Sequence, residues 1–86
     1  MKLSSSFINH NLGDEAYLVA TGNAQFSGVV KGNRTLGVII ELLKCETTET
    51  QIISAMKERF DAPEEVIAGD VRKAIDELRK IGAIDE

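Results

Sequence analysis

The apolar residues of this 86-residue chain change their spacing at Asn33, and this change constrains the fold more than any other feature of the sequence. Before Asn33, short apolar segments separated by Gly, Asn and Asp have the composition of strands and turns. After it, apolar residues recur every three or four positions, as they do on one face of a helix. The sequence therefore predicts an α+β fold in which a sheet precedes the helices.

Three segments before the change are predicted to form a three-stranded antiparallel sheet. They are residues 7–10, 16–21 and 26–31. Turn residues at 11–14 and a hairpin-length connection at 22–25 separate them. The preceding segment 1–6 is short, polar and rich in serine, so we expect it to be a frayed, disordered end.

The first two helices are predicted from their capping residues. Asn33 is expected to cap a helix from about Arg34 to Lys44, because its side-chain oxygen can accept a hydrogen bond from an exposed amide of the first turn. Segment 48–51 has the Thr-x-x-Gln form of a capping box, so a second helix is predicted to follow it and to end near Phe60.

A third helix is predicted after Asp61-Ala62-Pro63, where Asp61 can act as the cap and Pro63 is tolerated in the first turn. Ile81 ends its apolar stripe, and Gly82 is expected to terminate it in the left-handed conformation. Gly69 inside it either permits close packing or separates the first turn. The second and third helices are spaced like a helix-turn-helix, with the sheet in place of a wing. The sequence therefore predicts one winged helix-turn-helix-like domain over residues 1–86.

Charge and cysteine content exclude several classes of protein. The net charge is −4 and the pI is near 5.0, which argues against a dedicated polyanion binder. The only cysteine, Cys45, cannot form an internal disulfide, and no apolar run is long enough for a signal or membrane segment. We therefore expect a cytoplasmic protein that binds neither nucleic acid nor membrane.

Catalytic chemistry has few candidate residues in this sequence. His10 and Cys45 are the only histidine and cysteine, and neither has a partner at ligand spacing, so we interpret them as a solvated strand residue and an inert loop thiol. The sequence Lys31-Gly32-Asn33 lacks the further glycines and the Ser or Thr of a phosphate-binding loop. We expect no enzyme activity, no cofactor and no metal.

A helix-turn-helix invites comparison with DNA-binding proteins. The basic residues of the third helix would then read the duplex. They are Arg72, Lys73, Arg79 and Lys80. Five acidic residues of the same helix leave no net positive face. They are Glu64, Glu65, Asp70, Asp76 and Glu77. DNA binding therefore stays an alternative hypothesis.

The outer strand 26–31 provides a second hypothesis. An outer strand of a sheet presents one row of unpaired backbone amides and carbonyls, to which an extended peptide can add. The same edge could instead be blunted against aggregation by Lys31 and Gly28, or it could join two copies of the chain. The residues alone do not decide among a peptide site, a protected edge and a self-associating module.

From Val29 to Ile84, the order of motifs resembles a known family. A valine-rich strand ends on an Asn (Val29–Asn33) and a helix follows (Leu36–Leu43). A Thr-started helix then reaches an aromatic residue (Thr48–Phe60), and an Asp-Val helix ends in leucine, glycine and an aliphatic residue (Asp70–Ile84). This pattern is similar to the PqqD family, also known as the RiPP precursor peptide recognition element. Lys44-Cys45 departs from the Asp-Gly that is frequent there, which affects only a loop.

The resemblance implies a non-catalytic peptide chaperone, monomeric or weakly dimeric. Such proteins bind the leader of a ribosomally made precursor peptide as a strand added next to the third strand, in a groove whose other wall is the third helix. They present it to a modifying enzyme, commonly a radical SAM protein. On this chain the implied docking edge is Gln25, Phe26, Ser27, Gly28, Val29, Val30 and Lys31. Of the two flanks of the third helix, we favour the one with Ala68, Arg72, Ile75 and Arg79 over the one with Val66, Asp70, Lys73 and Glu77, because it combines an apolar floor with two cations.

Overall fold

A sheet followed by three helices is observed, in the order that the sequence predicts. The computed structural model describes residues 1–22, 24 and 28–86. Its elements are β1 (Lys2–Leu3), β2 (Phe7–Leu12), β3 (Glu15–Ala20), β4 (Val29–Asn33), α1 (Arg34–Leu42), α2 (Glu49–Arg59), α3 (Glu64–Lys80) and β5 (Ile84–Asp85). The α+β prediction is confirmed. Phe26 and Ser27, at the start of the predicted third strand, and Gln25, the first residue of the implied docking edge, lie outside the described residues. Strand β4 continues two residues past its predicted end.

The main sheet has the order β2-β3-β4, and both pairs are antiparallel. Side chains alternate between its two faces. Leu18 of β3 points inward with Val30 of β4 and is 1% exposed, whereas Val19 lies on the outer face between Ile8 and Val29. The inner face packs on apolar side chains of all three helices, and this layer is the core.

Helix α1 starts at the residue that follows the end of β4. Asn33 is the last residue of the strand and the N-cap of the helix, and its Oδ1 accepts a hydrogen bond from the Leu36 amide at 3.0 Å. The cap predicted from the sequence is confirmed. Gly37 in the first turns lies so close to β3 that a Cβ there would be 3.2 Å from the Cβ of Ala16. Residue 37 therefore has little room for a side chain where α1 crosses the sheet.

Helix α2 starts with the predicted capping box, whereas α3 starts differently. The Thr48 hydroxyl accepts from the Gln51 amide at 3.2 Å, and the Gln51 side chain accepts from the Thr48 amide at 3.1 Å. In α3 the N-cap is Pro63, whose carbonyl accepts from the amides of the first turn, and no side chain caps it. The prediction of Asp61 as the cap was wrong, because the helix begins two residues later than that role requires.

The C-terminal end of α3 follows the sequence prediction. Gly82 has φ +75, the left-handed conformation expected after the helix. Gly69 lies within continuous helix, and a Cβ there would meet nothing within 4 Å, so neither explanation offered for this glycine applies. Among the described residues, no helix is both long and apolar enough to cross a membrane.

The N-terminal segment is ordered by pairing with the other end of the chain, which corrects the expectation of a frayed end. Strand β1 pairs with β5, with Leu3 opposite Ile84. The Leu3 amide donates to the Leu43 carbonyl and the Ser4 amide to the Ala83 carbonyl, both at 2.7 Å. These bonds satisfy the carbonyls of Leu43 at the end of α1 and of Ala83 after α3. The polar composition of residues 1–6 does not reveal these partners.

Candidate functional site

The outer edge of β4 is the first component of the candidate site. Strand β3 occupies one side of β4, and no strand pairs with its other side within the described part of the sheet. In an antiparallel ladder, residues alternate between directing their backbone groups at the partner strand and directing them away from it. The free side therefore presents a row of donors and acceptors.

The register identifies the residues of this row. The Ala20 amide donates to the Gly28 carbonyl at 3.2 Å, so Gly28 faces β3. By alternation along the register, Val30 also faces β3, whereas Val29 and Lys31 direct their backbone N–H and C=O outward. Gly28 has φ +125, a conformation that L residues rarely adopt, which explains a glycine at the entry to this strand.

Helix α3 lies across from the free edge, and a cleft of about 300 Å³ separates them. The cleft is lined by the strand, the start of α1 and one flank of α3. Its lining residues are Val30, Lys31, Gly32, Asn33, Thr35, Leu36, Ile39, Asp70, Lys73, Ala74 and Glu77. An extended chain laid along β4 would therefore have backbone on one side and the side chains of a helix on the other.

One end of the cleft is apolar. A recess of about 110 Å³ opens there between Val30 of β4 and the C-terminal end of α3, where Leu78 and the C-cap residue Ile81 contribute aliphatic side chains. Leu36 and Ala74 line both this recess and the main cleft, so the two are continuous. This end can accept an apolar side chain of a bound segment.

The α3 wall of the cleft carries alternating charges. Asp70, Lys73 and Glu77 are exposed, and none of them forms an ion pair with another described residue. On β4, by contrast, the Lys31 ammonium lies 3.5 Å from a Glu15 carboxylate oxygen and is therefore already paired. The three charges of the helix wall are thus available to a bound segment.

The two flanks of α3 have different surroundings. The Arg72 guanidinium lies 3.5 Å from a carboxylate oxygen of Glu49 in α2. The Arg79 guanidinium lies 2.6 Å from a carboxylate oxygen of Glu86. Ile75 is 1% exposed and belongs to the core, and Ala68 is half-buried. None of these four favoured residues lines the cleft within the described structure, whereas Asp70, Lys73 and Glu77 of the other flank do.

Sequence reasoning proposed the edge of β4 as a docking site, but it did not include six other residues that line the cleft: Gly32, Asn33, Thr35, Leu36, Ile39 and Ala74. Thr35 and Leu36 belong to the first turn of α1, and Ala74 belongs to the buried stripe of α3. In the sequence, the spacing of these residues is typical of a helix and of its buried face, and it does not indicate a binding site. The direct junction of β4 with α1 is the signal that could have placed Thr35 and Leu36 beside the edge.

A charged cluster on the outer face lies beside the same edge. The Tyr17 hydroxyl donates to the Glu15 carboxylate, which also interacts with Lys31. The hydrogen bond from Tyr17, followed by the charge of Lys31, lowers the pKa of Glu15 below its ordinary value of 4.5. The same hydrogen bond raises the pKa of Tyr17 above 10.0. These side chains link β3 to β4 across the sheet.

His10 and Cys45 lie apart from the cleft. His10 is exposed on β2, and Cys45 is an exposed free thiol after α1. Over the described residues, no group of three or more His, Cys, Asp and Glu side chains is placed to hold a metal ion.

Comparisons with known proteins agree with this architecture. A solved structure described as TbiB1 in complex with the TbiA(beta) leader peptide superposes with a TM-score of 0.76 at 19% sequence identity. The alignment covers 99% of this chain and 100% of that chain, so the two share a fold. No curated protein matches the sequence.

The family resemblance inferred from residues 29–84 is confirmed by a match to a family profile. The profile is that of coenzyme PQQ synthesis protein D (PqqD), and the match spans residues 15–84. It includes β3, β4 and the three helices, and therefore both walls of the cleft. The chain belongs to the PqqD family.

Proposed function

We propose that this chain is a non-catalytic adaptor that binds the leader of a ribosomally made precursor peptide and presents it to a modifying enzyme. The observation that carries the proposal is the unpaired edge of β4, which faces α3 across a cleft of about 300 Å³. Membership of the PqqD family and the leader peptide named for the similar TbiB1 structure support it.

The leader would bind by strand addition. The backbone groups of Val29 and Lys31 would pair with the leader, and each such bond contributes about 0.5–1.5 kcal/mol net. Because backbone bonds do not depend on side chains, they would give affinity, whereas the apolar recess and the charges of α3 would select the sequence.

The modifying enzyme is proposed to be a radical SAM protein. The support is the family, whose members commonly serve such enzymes. The leader would cover the free side of β4. The enzyme would therefore meet the adaptor and the leader together.

Proline substitution at Val29 tests the edge. It removes an outward N–H, so we expect Val29→Pro to weaken leader binding about tenfold or more while the protein remains folded. The measurement is a titration of isotope-labelled protein with the leader encoded beside its gene. In the wild type, the amides of β4 and α3 should shift together.

The matched control is Asn11→Pro, on the opposite edge of the sheet. The Thr21 amide donates to the Ser6 carbonyl, so by alternation Asn11 also directs its N–H outward, away from β3. This variant should bind the leader like the wild type. If Val29→Pro binds as tightly as Asn11→Pro, or if shifts are confined to the α1–α2 loop, strand addition at β4 is excluded.

Self-association through the same edge is the competing proposal, because Val29 is 58% exposed beside unpaired backbone groups. Light scattering with and without leader separates the two. A dimer that the leader does not dissociate favours self-association.

A further inference from the structure

The cleft does not end where β4 ends. Beyond Asn33 it continues into a second pocket of about 100 Å³ between the start of α1, the end of α2 and the start of α3. Its lining residues are Thr35, Met56, Phe60, Ala62, Ile67 and Asp70. Thr35 and Asp70 line both the pocket and the main cleft, so the pocket adjoins the cleft at this end. We name it the anchor pocket.

The length of the cleft exceeds that of the strand edge. Its α3 wall extends from Ile81 at the apolar recess to Ile67 in the anchor pocket. At 1.5 Å per residue this wall spans about 21 Å, and an extended peptide that runs along it covers that length with about six or seven residues. Strand β4 (Val29–Asn33) has 5 residues, so a peptide that fills the cleft extends past it by one or two.

The anchor pocket has the chemistry of an aliphatic subsite. Met56 and Ile67 form its floor and are almost completely buried, and the ring of Phe60 forms a wall. The Arg34 guanidinium lies 5.7 Å from the centroid of that ring. The volume of about 100 Å³ is smaller than the roughly 150 Å³ of a cavity that holds benzene, which favours a branched aliphatic side chain over an aromatic one.

We propose that the leader carries a branched aliphatic residue one or two positions beyond its strand-paired segment, on the side of Asn33, and that this residue fills the anchor pocket. The inference rests on the proposed function, because the strand at β4 brings the residue to the pocket. It adds a second determinant of leader choice, separate from the apolar recess at the other end.

The test uses the whole chain and a display library of random peptides. Binders are selected on the wild type and retained if Val29→Pro weakens them, and each is then scanned with alanine. The protein variant Ala62→Phe adds a ring at an exposed position of the pocket wall. Ser54→Phe, at an exposed position of α2 that does not line the pocket, is the matched control.

We expect one aliphatic position near an end of each peptide whose change to alanine weakens wild-type binding about tenfold or more. That change should have little further effect in Ala62→Phe, because the pocket is already filled, whereas it should keep its full effect in Ser54→Phe. Aliphatic-to-alanine changes that act equally in both variants overturn the anchor pocket and leave strand addition standing. A selection without any binder weakened by Val29→Pro contradicts the proposed function itself.

Discussion

At Glu15, two neighbours favour the charged form of an exposed carboxylate. The Tyr17 hydroxyl donates a hydrogen bond to it, and Lys31 of the adjacent strand lies 3.5 Å away. The pKa of Glu15 is therefore lower in the folded chain than in the unfolded chain. A group of this kind stabilises the fold above its unfolded pKa, and the contribution is lost as the pH falls through the folded pKa.

Replacement of Glu15 by glutamine is expected to reduce the pH dependence of stability at acid pH. The wild type should lose part of its stability as the pH falls below 4.5, the ordinary pKa of the carboxyl, and Glu15→Gln should lose less. Thermal unfolding over a pH series measures this difference. Glu58→Gln, on the exposed face of α2, is the control; equal acid slopes for wild type and Glu15→Gln would contradict the prediction.

The pH dependence that Tyr17 contributes to stability has the opposite sign. The pKa of Tyr17 is raised chiefly by the hydrogen bond to Glu15, so its contribution to stability is present below pH 10.0 and is lost as the pH rises through the folded pKa. The hydrogen bond between Tyr17 and Glu15, both in β3, therefore contributes most to stability between these limits.

Among the elements, those whose ends depend on local chemistry could be predicted from sequence. Asn33, the capping box of α2 and the stop at Gly82 each depend on a few adjacent residues, and all three are observed. The orientation of α3 is different. Its apolar stripe is evident, but Arg72 and Lys73 both border that stripe, so only the positions of α2 and β4 decide which flank faces the cleft.

Substitutions on the two flanks of α3 test which flank faces the cleft. Glu77 lines both the main cleft and its apolar recess, so Glu77→Trp should obstruct the cleft and weaken leader binding about tenfold. Arg72→Trp, on the flank that meets α2, should change binding less than about twofold, since the exposed ion pair with Glu49 contributes little. Calorimetric titration with the leader measures both.

Asp76→Trp controls for a bulky exposed residue adjacent to Glu77. Loss of binding in Arg72→Trp with retention in Glu77→Trp would reverse the assignment and favour the flank that contains Ala68 and Arg79.

In the whole molecule, the chain ends are joined by β1 and β5. This pairing could not be predicted, because it connects segments that are far apart in sequence, and because the polar residues of 1–6 carry no strand period. Leu3 is half-buried against the core, and its amide bonds to the Leu43 carbonyl.

Deletion of residues 1–3 is expected to lower the free energy of unfolding by about 2–4 kcal/mol. It removes the pairing with β5, the bond to Leu43 and the packing of Met1 and Leu3 on the core. Urea unfolding measures the change. Lys2→Ala keeps the backbone of β1 and should cost less than about 0.5 kcal/mol; a deletion that costs no more than this would show that the pairing contributes little.

The direct junction of β4 with α1 at Asn33 has a consequence for the thermodynamics of binding. No loop separates the edge from the helix, so this end of the edge is held in its extended form before any peptide arrives. Ordering the protein there costs little conformational entropy, and most of the entropic cost falls on the peptide. Differences in affinity among leaders should therefore reflect how readily each leader becomes extended, as much as the contacts it makes.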